Sequence, residues 1–121
     1  MNWSATGAVL LALAVILGAF GAHGLRDRLD AYGMSVYEKA VLYHFLHALG
    51  ILIVSALPRA GVLREDAGGV VCAVLLAGIV FFSGSLYLLA ATGNRWLGAV
   101  TPVGGIAFIA GWLLLAWHLR R

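Results

Sequence analysis

Four long apolar stretches dominate the chain, at about residues 4–22, 36–57, 67–91 and 102–119. Charges bunch between them: Arg26, Asp27, Arg28 and Asp30, then Arg59, Arg64, Glu65 and Asp66, then Arg120 and Arg121. A helix rises about 1.5 Å per residue, so about 19 residues reach roughly 28 Å, the depth of a bilayer's hydrocarbon core. The pattern predicts an all-α protein, an integral membrane four-helix bundle, with residues 1–121 as a single transmembrane domain.

Local signals set the expected ends. Asn2 or Ser4 is placed to cap the first helix. Ser35-Val36-Tyr37-Glu38 fits a capping box for the second, and Pro58 marks its end. Glu65 and Asp66 suit the positive end of the third helix, and Gly93 its stop. Thr101-Pro102 reads as N-cap and N1 of the fourth; the alternative is an earlier start near Trp96 with a kink at Pro102. Trp112, Trp117 and His118 are expected to approach the far interface. The first connection, about 23–34, is the longest. There Leu25, Leu29 and Tyr32 recur at i, i+4, i+7, which predicts either a short interfacial amphipathic segment ended by Gly33 or an irregular polar loop.

Small residues mark where backbones can approach. Ala14, Gly18 and Ala22 share one face of the first span, and Ala107 and Gly111 one face of the fourth. Gly18, Gly21, Gly84, Gly104, Gly105 and Gly111 are the expected helix-packing positions.

Composition sharpens the picture. Of 121 residues, 63% are hydrophobic and 11% charged, more apolar surface than a soluble domain of this size can hide. The first apolar run lacks a basic leading segment and is read as a span, not a cleaved signal. The net charge of +3 comes from residues at span ends, with no nucleic-acid motif, so the expected partners are anionic lipid headgroups rather than nucleic acid. Cys72 cannot form an intrachain disulfide and reads as a small core residue. Four spans put both termini on one side. Arg59, Arg64, Arg120 and Arg121 then balance Arg26, Arg28, Lys39 and Arg95, so positive charge alone leaves orientation open.

The candidate chemistry lies in Tyr43-His44-Phe45-Leu46-His47. Both histidines fall inside the hydrocarbon zone and share a face, with Tyr37, Ala40, Ala48 and Ile51, that should point inward. An ionisable residue at that depth suggests a functional site. His23, Tyr43, His44, His47, Ser83, Ser85 and Tyr87 form the candidate polar site. Three readings compete: neutral histidines hydrogen-bonded across helices to Ser83, Ser85, Thr101 or a backbone carbonyl; a metal site joined by His23; and a path for protons or a small solute. His47 in particular is expected near Ser83, Ser85 or Tyr87. No catalytic motif stands out, no metal or cofactor is assigned, and the chain is read as not an enzyme.

The segments Gly18-Ala19-Phe20-Gly21-Ala22-His23, Tyr43 with His47, and Phe82-Ser83-Gly84-Ser85-Leu86-Tyr87 resemble the YgdD/YwdK family of small inner-membrane proteins. So do Thr101-Pro102-Val103-Gly104-Gly105 and Gly111-Trp112. The resemblance implies four spans, a bacterial plasma membrane and a domain of unknown function. It also implies cytoplasmic termini, because relatives carry more positive charge on that side. Relatives with glutamine in place of His44 leave His23 and His47 as the family-like pair. The leading expectation is a membrane scaffold or accessory protein, alone, as a homo-oligomer or in a larger membrane complex. The alternatives are an oligomeric transporter or channel-like protein and a metal or lipid-headgroup binder.

Overall fold

A computed structural model describes residues 1–120; Arg121, counted above among the terminal charges, lies outside the described residues. Four helices are long and apolar enough to cross a membrane. The first, α1, covers Trp3–Phe20 and runs on through a π-helical turn at Gly21–Leu25. The second, α2, covers Ala31–Ala56. The third, α3, covers Glu65–Thr92, with a π-helical turn at Ile79–Ser83. The fourth, α4, covers Thr101–Leu119 and follows a 3₁₀ turn at Arg95–Ala99. The protein is an all-α four-helix membrane bundle.

The helix starts follow side-chain capping, and here the expectations need correction. Asn2 caps α1, its Oδ1 accepting from the Ala5 amide at 3.0 Å. Asp30, not Ser35, caps α2, its Oδ1 accepting from the Gly33 amide at 2.7 Å. The helix therefore begins before the Ser35–Glu38 box, and Gly33 lies inside it rather than ending a surface segment. The amphipathic segment shrinks to the turn between Leu25 and Ala31, where the Arg28 and Leu29 amides close on the Leu25 carbonyl. Thr101 is not a cap either: it is the first residue of α4, and its hydroxyl meets Ser85 of α3 at 2.7 Å. Gly93 does end α3, with φ +71°, a left-handed conformation that glycine adopts without strain.

Inside the bundle, α2 and α3 carry most of the buried positions; α1 rests mainly on α2, and α4 mainly on α3. The outer faces of α1 and α4, including Ile16 and Ile106, stay exposed to lipid. Toward the termini, Ala48, Ile51, Val54, Val71, Cys72, Leu75, Ile79 and Phe108 make one apolar cluster. Toward the other end, Ala40, Leu86 and Leu89 make a second. Between and beside them sit the buried polar residues His44, His47, Ser83 and Ser85. Aromatic residues mark both rims. Arg95 lies over Tyr32 at one end and Arg120 over Trp117 at the other, 4.5 Å and 3.6 Å from the ring centres.

Glycines set the closest approaches. A Cβ on Gly104 would collide with the Phe81–Phe82 backbone, at the π turn of α3. On Gly7 of α1 it would press on the Leu52 backbone, and on Gly111 it would meet Leu75 Cδ2 at 2.7 Å. Gly21 receives the Tyr37 ring, Gly50 the Trp112 ring and Gly78 the Phe108 ring. A Cβ on Gly18 would meet only Val41 Cγ1 at 3.4 Å, and Gly84 and Gly105 have no neighbour closer than 3.9 Å.

Candidate functional site

A polar layer crosses the middle of the bundle. Counted from Ala31, His44 stands about 20 Å along α2 and His47 about 24 Å, near the middle of a helix of roughly 39 Å. The inward stripe on that helix is buried throughout: Tyr37, Ala40, His44, His47, Ala48 and Ile51 are each 7% exposed or less. Spacing of three and four along one helix is what brings them onto one face.

Each polar group in this layer bonds a specific neighbour. His44 Nδ1 meets the Tyr87 hydroxyl at 2.8 Å. The Ser83 hydroxyl donates to the Ala40 carbonyl of α2 at 2.8 Å. Ser85 joins α3 to α4 through Thr101. The Tyr37 hydroxyl donates to the Leu17 carbonyl of α1, and its ring meets that of Tyr87 edge-on, with centres 5.5 Å apart. The four helices are thus tied to one another over roughly 10 Å of the bundle's length. A single bond of this kind in a membrane interior is worth about 0.6 kcal/mol, up to about 1.7.

His47 is buried but does not join that network. Its Nδ1–H donates to the Tyr43 carbonyl one turn back, at 2.8 Å, which fixes the proton on that nitrogen because a carbonyl only accepts. Its ring stacks on Phe108 of α4, centres 3.5 Å apart and planes 14° apart. The expected partners Ser83, Ser85 and Tyr87 are taken by Ala40, Thr101 and His44. Tyr43 is 36% exposed and leans on Phe82, centres 4.6 Å apart. Trp112 lies not at the rim but over Gly50, its ring centre 5.7 Å from that of His47.

His23 is elsewhere. It is exposed in the π turn closing α1. Gly21 faces Tyr37 there, which puts His23 about 13 Å from His44 along the axis. Among the described residues no three histidine, cysteine or acidic side chains converge.

One atom in the layer lacks a partner. His44 is 3% exposed, and its Nε2 makes no hydrogen bond among the described residues. If Nδ1 accepts from Tyr87, Nε2 is an orphan donor; if Nδ1 donates, Nε2 is an orphan lone pair.

Sequence reasoning did not reach Phe108, the hydroxyl role of Tyr37 or the two π turns. The close crossing beside the second turn did have a signal, the small residue Gly104, whose Cβ would meet the Phe81–Phe82 backbone.

The family described as "Protein of unknown function (DUF423)" matches residues 17–105. The chain belongs to the DUF423 family. A UPF0382 membrane protein of Staphylococcus haemolyticus is 49% identical over 109 residues, 90% of this chain and 87% of that one. The UPF0382 membrane protein YwdK of Bacillus subtilis is 45% identical over 111 residues, 90% and 88% of the two chains. No solved structure matches the chain. The DUF423 match begins at Leu17, which accepts from Tyr37, and takes in His44, Ser83, Ser85, Tyr87 and Thr101. Phe108 and Trp112, which pack on His47, lie beyond it.

Proposed function

We propose that this DUF423 protein is a non-enzymatic membrane scaffold or accessory subunit, held in one shape by its polar layer. The observation that carries the reading is where the hydrogen bonds go. Ser83, Ser85, Tyr37 and the His44 Nδ1 are each spent on another helix. Bonds made from helix to helix in this way hold the bundle together. The large lipid-facing surfaces of α1 and α4 are where another membrane protein, or a second copy, would sit.

The site of action on this reading is the bacterial plasma membrane, with both termini in the cytoplasm. Supporting it, the relatives described above are bacterial membrane proteins. Cells lacking the chain should lose or disassemble a defined membrane complex, restored by re-expression. A membrane proteome and complex profile unchanged by its loss would overturn the reading.

A second reading, a proton or small-solute path, draws on the orphan His44 Nε2. Against it stands the apolar packing toward the termini. A cleft of about 400 Å³ opens at that end, lined by Ser4, Ser55, Arg59 and Glu65, with Cys72 in its wall. From Ser55 to His44 is about 16 Å of helix, filled by Ala48, Ile51 and Val54, which are 0–1% exposed.

A further inference from the structure

A groove of about 340 Å³ lies along α1 and α2. Its floor is apolar, with Gly18, Gly21, Val41 and Phe45, and its mouth carries Arg26 and Glu38. Neither charge is paired with the other: among the described residues the ion pair is Arg64–Asp66, at 2.9 Å.

Two opposite charges at the edge of an apolar slot need an explanation, because Glu38 lies deep. It is about 8 Å from the middle of α2, whereas the hydrocarbon of a centred bilayer extends roughly 15 Å from its middle. At about 39 Å, α2 exceeds that hydrocarbon by about 9 Å. Setting the excess at the end that bears Arg26, Glu38, Lys39 and Arg95 brings the groove mouth to the headgroup level. The apolar floor then runs alongside the acyl chains.

The side-chain directions complete the argument. Helical side chains lean toward their own helix N-terminus. Arg26, at the end of α1, leans inward along the groove, and Glu38, on the antiparallel α2, leans outward. Their positions differ by about 9 Å along the axis, and the lean brings the two charges toward each other.

We propose that this groove binds a phospholipid with an amino headgroup, of the phosphatidylethanolamine type. The phosphate meets the Arg26 guanidinium, the primary ammonium meets the Glu38 carboxylate, and one acyl chain lies over Gly18 and Gly21 against Phe45. Arginine suits a phosphate because its planar fork offers paired donors. Glu38 supplies the selectivity: phosphatidylglycerol carries the phosphate but no cation, so at this carboxylate it gains nothing.

The test is native mass spectrometry of the full chain released from nanodiscs that contain equal phosphatidylethanolamine and phosphatidylglycerol. One surface charge contact is worth about fivefold in occupancy. The wild type should retain phosphatidylethanolamine by about that factor over phosphatidylglycerol. Glu38→Gln should bring the ratio to near one while phosphatidylglycerol retention holds. Arg26→Gln should lower retention of both lipids. Thermal unfolding of each variant, expected unchanged because both residues are exposed, separates lost binding from lost fold. Equal retention by the wild type, or a preference that survives Glu38→Gln, overturns the proposal. So does a dimer that crosslinks through Phe45→Cys, since a second copy would then fill the groove.

Discussion

His44 on α2 and Tyr87 on α3 meet through Nδ1 and the hydroxyl at 2.8 Å, although 43 positions separate them in the chain. Both helices pass the same level because they run antiparallel, and this bond sits beside Ser83→Ala40 in the same seam. The imidazole has one nitrogen engaged and one orphaned. Tyr87→Phe should therefore remove the one bond of a buried ring and cost about 0.6–1.7 kcal/mol. His44→Gln, which can still reach the hydroxyl, should cost less. Reversible unfolding in mixed micelles reads both; equal losses would show that the bond is not what Tyr87 contributes.

Gly104→Ala should be the most damaging single-methyl change in α4. The new Cβ would meet the Phe82 backbone, which cannot rotate away as a side chain does. Overpacking of this kind costs about 1–3 kcal/mol. Gly105→Ala, with no neighbour nearer than 3.9 Å, should stay within about 0.5 kcal/mol of the wild type. Comparing the two unfolding midpoints checks this; a similar drop for both would reject the close crossing.

The start of α2 offers a clean capping contrast. Asp30→Ala removes the acceptor for the Gly33 amide and should destabilise by about 1 kcal/mol. Ser35→Ala lies inside the helix and should have little effect. Amide exchange at Tyr32 and Gly33 in detergent micelles would report the frayed turn in the first variant alone. Faster exchange in Ser35→Ala instead would restore the later start.

That contrast also marks how much was legible in the chain. The four spans were, because about 20 apolar residues between charges have few other uses. So was the inward stripe from Tyr37 to Ile51, since helical periodicity alone places it. The start of α2 was not, because Asp30 and Ser35 are both good caps and only tertiary contacts decide between them. Gly33 is tolerated inside the helix, where its missing Cβ leaves room for Asp30 Oδ1 and Leu29. The partner of each histidine was illegible too. Depth is set by counting residues, but the π turn at Ile79–Ser83 rotates the end of α3, which carries Tyr87, relative to its start, and ordinary helical counting misses that rotation. Phe108 could not be singled out among many apolar residues of α4 until its ring was seen against His47.

Residues 1 and 120 lie at the same end of the bundle because four spans return the chain to its starting side. Reporter fusions at residue 1 and after residue 121 should score alike, and as cytoplasmic. A reporter in the turn between α1 and α2, near Asp27, should score as external. Opposite scores at the two ends would contradict the four-span topology, and external scores at both would invert the proposed orientation.

On the proposed reading, the polar layer locks the helices and does not conduct. The most direct measurement is proton and small-cation flux into proteoliposomes that contain the purified wild-type chain, under an imposed pH gradient and membrane potential. Flux should equal that of empty liposomes, for the wild type and for His44→Phe alike. A protein-dependent flux that His44→Phe abolishes, while the fold is retained, would contradict it and put the path reading in its place.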